Sequence, residues 1–151
     1  MIFLGLGSNL GDRRRNIESA LALIAEKVGT IRALSGCHET QPWGYDSKEY
    51  FLNMAIEVET ELNPEELLTV TQAIERELGR YQKTVNGKYR DREIDIDILL
   101  YDDLILQSPA LTIPHPLMHQ RPFVLQPLAE IAPHLIHPVF KRTISDLYHN
   151  L

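Results

Sequence analysis

From residue 51 to residue 59 the chain alternates without a break. Leu52, Met54, Ile56 and Val58 fall on one parity, while Phe51, Asn53, Ala55, Glu57 and Glu59 fall on the other. Successive side chains of a strand point to opposite faces, so this run specifies a strand with one apolar side and one mixed side. No other stretch limits the fold as tightly. A strand of this kind needs partners to pair with and a layer to cover its apolar side.

The partners are legible elsewhere. Ile2, Leu4 and Leu6 alternate with Phe3, Gly5 and Gly7, which predicts a first strand. Ile94, Ile96, Ile98 and Leu100 share one parity of 94–101, which predicts a last strand with Asp95 and Asp97 on its other face. Residues 31–38 read as a weaker strand. The covering layer comes from two helical stripes. Ile17, Ala20, Leu21, Ile24 and Val28 form one, closed by Gly29; Leu67, Thr71, Ile74 and Leu78 form the other, closed by Gly79. The second opens on Asn63-Pro64-Glu65-Glu66, a cap, a first-turn proline and the acid of a capping box. Residues 8–12 are expected to turn, 40–50 to form a long loop, and the proline-rich 104–151 to form short helices and turns. No internal repeat or low-complexity tract occurs.

The element order is therefore β-α-β-β-α-β, which predicts an α+β, ferredoxin-like antiparallel sheet with both helices on one face and a C-terminal extension. On that arrangement Phe51, Asn53, Asp95 and Asp97 lie on the face away from the helices. An uncovered face carrying a ring, an amide and two carboxylates is a binding surface.

A chain of 151 residues suits one domain, 1–151, with a core that needs no staples. Cys37 is the single cysteine, so no internal disulfide can form, and a cytoplasmic setting is expected. The N-terminus lacks the basic start and cleavage site of a signal peptide, and no apolar run reaches the ~20 residues of a membrane helix. The formal net charge of −6 argues against nucleic acid as a partner. An anionic ligand would need local cations, and between Arg80 and Arg92 the chain gathers Lys83, Lys88 and Arg90 with Asp91 the one acid among them. A solvated charged loop is the ordinary reading of such a run; its place beside two strand aspartates raises the alternative.

Aspartate is disfavoured in strands, and two on one face repel each other. Residues i and i+2 of a strand lie roughly 7 Å apart. That span lets two carboxylates hold a pair of Mg²⁺ ions about 4 Å apart, with waters and substrate phosphates completing each shell. A solvent-facing polar edge paired with Arg90 or Arg92 is the competing reading, because a lone Asp-x-Asp is a weak motif. Other chemistries fit less well. There is no Gly-x-x-x-x-Gly-Lys-Ser/Thr loop, and Gly5, Gly7 and Gly11 lack dinucleotide-fingerprint spacing. No nucleophile triad assembles. Pro114 and Pro116 around His115 argue against a helical zinc pair with His119.

The block Arg92-Glu-Ile-Asp95-Ile-Asp97-Ile-Leu-Leu-Tyr, with Ile113-Pro-His115-Pro, Arg121-Pro-Phe123, Gly5-Leu-Gly-Ser-Asn-Leu10 and Phe51-Leu-Asn53, closely resembles the 6-hydroxymethyl-7,8-dihydropterin pyrophosphokinases. The resemblance runs along nearly the whole chain in order. It implies transfer of diphosphate from ATP to a dihydropterin alcohol, leaving AMP, in folate biosynthesis. It also implies that Asp95 and Asp97 ligate two Mg²⁺ ions. Phe51 and Phe123 would sandwich the pterin, Asn53 would read its edge, and Thr40, Trp43 and backbone over 40–44 would complete the pocket. Gln72, Glu75, Ile98 and Thr112 would lie at the ATP site, and Arg80, Arg92, His115 and Arg121 would bind its phosphates. The basic 79–91 segment is expected to act as a lid, and the protein to be a monomer. Departures fall at Tyr89-Arg90-Asp91, where the family often has Trp-Gly-Pro; at Pro116, often tyrosine; and at Trp43, commonly aliphatic. The competing functions are a two-metal phosphohydrolase on the same aspartates and a non-catalytic ligand- or RNA-binding module.

Overall fold

The computed structural model describes residues 1–40, 50–79 and 93–151. Its main sheet is antiparallel and contains β1 (Ile2–Ser8), β2 (Gly29–Leu34), β3 (His38–Thr40), β4 (Phe51–Thr60) and β5 (Asp95–Tyr101). The order across it is β2-β4-β1-β5. β3 continues along β4 where β2 leaves off, with Thr40 opposite Phe51 and His38 opposite Asn53.

Two helices cover one face: α1 (Arg13–Lys27) and α2 (Pro64–Gly79). Asp12 caps α1 by accepting the Arg15 N–H at 3.2 Å. The capping box of α2 forms as expected. Asn63 Oδ1 accepts the Glu66 N–H at 2.8 Å and Glu66 Oε1 accepts the Asn63 N–H at 2.9 Å. Ile17, Ala20 and Ile24 of α1 and Leu67 and Ile74 of α2 pack on Ile2, Leu4, Leu6, Leu52, Met54, Ile56, Val58, Ile94, Ile96 and Ile98. The alternation of β4 is thereby explained, since its even residues lie in this core. Full burial of each such aliphatic contributes roughly 1.5–3 kcal/mol.

Several expectations are corrected. α1 ends at Lys27 with Val28 as its cap, and Gly29, directly after the cap, also opens β2. Glycine is required there by close approach, because a Cβ would sit 2.0 Å from the Glu59 carbonyl oxygen. The weak strand over 31–38 is really two strands, broken at Ser35. There Ser35 N–H donates to the Ala55 carbonyl and Ser35 Oγ accepts from the Ala55 N–H, both at 2.9 Å, so both polar groups of Ala55 stay paired across the break.

Leu100 does not share the face of Ile98. The β1–β5 register shifts between Phe3 and Leu4, which pairs Leu4 with Ile98 and Phe3 with Leu100. The extra residue on β5 is a bulge, which turns Leu100 to the other side of the sheet. There Leu99, Leu100, Phe3 and Ala55 form a second core with Val124, Leu125 and Leu128 of α3 (Pro122–Ile131) and Ile144 and Leu147 of α4 (Ile144–His149). The face away from α1 and α2 is therefore not uncovered. Apolar residues on the odd parity of β1, β4 and β5 recruit the C-terminal helices as far as Ala55 and Leu99. Past them Phe51, Asp95 and Asp97 remain half-buried.

Residues 104–151 also contain a hairpin of β6 (Leu106–Gln107) with β7 (Thr112–Ile113) and a 3-10 turn at Met118–Gln120. Among the described residues no helix is long and apolar enough to cross a membrane.

Candidate active site

Two glycines of β1 lie between the strands that carry the polar residues, with Gly5 under Leu99 of the second core and Gly7 beside Phe51 and Asn53. Gly7 of β1 stands between Asn53 on β4 and Asp95 on β5, and Gly5 stands between Ala55 and Asp97. A Cβ at Gly7 would lie 2.9 Å from Asn53 Oδ1 and 3.4 Å from the Phe51 ring. The missing side chain lets the Asn53 amide and the Phe51 ring pack down against the β1 backbone.

Asn53 is 7% exposed and donates from Nδ2 to Thr40 Oγ1 at 2.7 Å, which orients the amide. Thr40 thus contributes a hydroxyl, where the sequence pointed to backbone. On the other flank, Asp97 Oδ2 lies 4.0 Å from His115 Nε2, with the side chains 33% and 18% exposed. The turn after β7 holds His115: its N–H donates to the Leu99 carbonyl at 2.9 Å, and its Nδ1 accepts the Leu117 N–H at 3.4 Å. Burial, and then the charge of Arg121, pull the imidazole pKa down to about 4 against the opposing effect of Asp95. At neutral pH the ring is uncharged, and with Nδ1 accepting, its proton sits on Nε2.

Arg121 precedes α3 and is 4% exposed, with its guanidinium carbon 5.6 Å from the centroid of the Phe123 ring. Phe123, in the first turn of α3, is half-buried against the second core. Asp95, Asp97, His115, Arg121, Phe123, Asn53 and Phe51 are therefore gathered at one end of the sheet from four separate segments.

The residues expected at the ATP site are placed as follows. Glu75 of α2 reaches the outer edge of β5, where Oε2 accepts the Ile96 N–H at 2.8 Å, between the two aspartates. Because backbone groups alternate along an edge strand, Ile98 turns its own backbone to the same open edge. Its side chain is buried in the helix-side core, so any contact it makes is through the backbone. Gln72 is exposed on α2. Thr112 and His115 line a groove of 340 Å³ with Leu106, Ile113, His119 and Phe140. Trp43, Arg80, Arg92 and the expected lid beyond Gly79 lie outside the described residues.

Among the described residues no group of three or more His, Cys, Asp or Glu could hold a metal ion. Two half-exposed aspartates instead suit a hard cation that keeps waters and takes phosphate oxygens. The donor set fits Mg²⁺ and does not fit zinc.

Two residues near the site, Glu130 and Arg13, escaped the sequence reading. Glu130 of α3 binds His38 and accepts the Gly36 N–H at 3.2 Å. Arg13 bridges both flanks of 41–49, from Nη1 to the Tyr50 carbonyl at 2.8 Å and from Nη2 to Glu39 at 3.3 Å. No linear pattern links partners 92 residues apart.

The model of the 7,8-dihydro-6-hydroxymethylpterin-pyrophosphokinase (HPPK) family matches residues 3–133. A 2-amino-4-hydroxy-6-hydroxymethyldihydropteridine pyrophosphokinase of Porphyromonas gingivalis is 50% identical over 139 residues, 91% of this chain and 94% of its own. One from Aquifex aeolicus is 39% identical over 145 residues, covering 96% and 88%. Among solved structures, the wild-type HPPK-DHPS of Plasmodium falciparum superposes with a TM-score of 0.77 at 20% identity, over 99% of this chain and 42% of that one. That last likeness concerns the fold alone. From the match along residues 3–133 and the identity to full-length relatives, this chain belongs to the HPPK family.

Proposed function

We propose that this protein, a single domain, is an ATP-dependent pyrophosphokinase that moves a diphosphate from ATP to the hydroxymethyl group of 6-hydroxymethyl-7,8-dihydropterin, releasing AMP, in folate biosynthesis. The observation that carries the reading is the row Asn53-Gly7-Asp95 with Asp97 beside it. An amide and an aromatic ring packed on Gly7 and a pair of carboxylates share one end of the sheet. The strand order also supports the finer architecture, a ferredoxin-like pair of split β-α-β units.

On this reading Phe51 and Phe123 take the two faces of the flat ring, and the Asn53 amide, held by Thr40, reads its polar rim. Asp95 and Asp97 would hold Mg²⁺, two ions in the fullest form. When bound, the metal supplies neutralisation of phosphate charge. His115 offers its Nε2 proton to a phosphate oxygen without itself bearing charge. The Arg121 guanidinium adds fixed positive charge at the site against a net charge of −6 for the chain. Ile98 and Thr112, through backbone, and Gln72 bound the nucleotide end, and Arg80 and Arg92 add cations to the phosphates. The chemistry then needs positioning more than covalent participation: the pterin hydroxyl is aligned in line with the β-phosphorus while the surrounding dipoles stabilise the transferring group.

The test is an assay with ATP, Mg²⁺ and the hydroxymethyl-dihydropterin. Pterin-dependent AMP release with the pterin diphosphate as co-product is expected. Phosphate release that does not depend on pterin would overturn the transfer reading in favour of hydrolysis.

A further inference from the structure

β3 is only three residues long, pairs with a single neighbour and follows a break in the sheet edge. A strand that short gains little from its own ladder. Yet its Thr40 orients Asn53, and His38 and Thr40 sit opposite Asn53 and Phe51. Something outside the ladder must hold it in place. Arg13 of α1 reaches the middle of the strand at Glu39, 3.3 Å away, and the contact that links it to the far side of the site is Glu130, in the last turn of α3. One carboxylate oxygen meets His38 Nε2 and the other accepts the Gly36 N–H at 3.2 Å. The same helix carries Phe123 in its first turn. Glu130 therefore ties the element bearing one ring to the strand that steers the amide and faces the other ring.

The pair is partly exposed, with Glu130 at 39% and His38 at 26%. Contacts of that kind contribute little to overall stability, so their effect is to be sought in geometry. We infer that Glu130 is a positioning residue for the pterin site, setting the spacing between Phe123 on α3 and the Thr40-Asn53-Phe51 wall through His38 and Gly36. The inference rests on the pterin reading above.

The experiment compares wild type, Glu130→Ala, Glu130→Gln and His38→Ala in the full chain. Equilibrium binding is measured separately for oxidised 6-hydroxymethylpterin and for Mg²⁺ with a non-hydrolysable ATP analogue, alongside melting temperature. Glu130→Ala is expected to weaken pterin binding about tenfold while nucleotide binding stays within about twofold. Glu130→Gln keeps an acceptor for Gly36 and a polar atom for the imidazole, so it should recover most of the loss. His38→Ala should weaken pterin binding in the same direction, and its loss should not add to that of Glu130→Ala. Unchanged pterin binding in Glu130→Ala overturns the inference. So does equal weakening of both ligands with a lower melting temperature, which marks an ordinary structural tie. If wild type itself binds no pterin, the functional reading fails first, and the two failures are thereby told apart.

Discussion

Asn53 Nδ2 donates to Thr40 Oγ1 at 2.7 Å, so the amide in the site is aimed by the strand beside it. Thr40→Val keeps the shape and removes the acceptor. Pterin affinity should fall roughly 5- to 10-fold, the worth of one buried hydrogen bond, with nucleotide affinity little changed. Titration of each ligand separately reads the difference.

Gly7→Ala adds one methyl where Asn53 Oδ1 stands 2.9 Å away. The amide and the Phe51 ring must shift. The KM for the pterin should rise about tenfold or more, since closely packed sites feel a single methylene, while the melting temperature changes by only a few degrees. A KM equal to that of wild type would remove Gly7 from the site.

Asp95→Ala combined with Asp97→Ala should reduce AMP formation by a factor of roughly 10² to 10³ or more, while circular dichroism stays native. Excess Mg²⁺ should not rescue it. Full turnover by this variant would sink every phosphate-transfer reading of the protein.

Glu75 secures the outer edge of β5 through the Ile96 N–H at 2.8 Å. Glu75→Ala should lower kcat/KM for Mg-ATP by about tenfold, because it frees the peptide that spaces the two aspartates. Glu75→Gln, which keeps a carbonyl acceptor, should lose less. Equal losses in the two variants would show that charge matters and the acceptor does not.

Stability should fall on mild acidification. His137 is buried, and its Nδ1 accepts the Val139 N–H at 3.2 Å and the Phe140 N–H at 3.3 Å. Burial and then His119 pull its pKa down to about 4. An unfolded chain takes up this proton near pH 6.5, whereas the folded one resists until about 4. As pH drops through that window the unfolded state is favoured, and below it the loss levels off. Melting temperatures from pH 7 to pH 4.5 should show the decline. His137→Asn, which can still accept from the turn, should show a shallower one, with His115 supplying the remainder.

Which contacts were legible in the chain depended on their range. The β4 alternation, the α1 and α2 stripes and the Asn63–Glu66 box are local patterns, because side-chain direction repeats every two residues in a strand and every 3.6 in a helix. They were enough to put Asn53, Asp95 and Asp97 on one parity. The motif resemblance added His115, Arg121 and Phe123, which no periodicity marks.

Periodicity could not reveal the β5 bulge opposite Phe3, which moved Leu100 to the second core, because a register shift depends on the partner strand. Nor could it reveal that α3 and α4 cover half of the face expected to be open. The Glu130–His38 link and the Thr40 hydroxyl under Asn53 are likewise products of chain closure. By itself the sequence determined which residue types face which side of each element wherever the pairing is regular, since that follows from backbone geometry one residue at a time. Only the tertiary structure decided which of those sides meet, because burying two apolar faces at once draws together residues that carry no mark of each other along the chain.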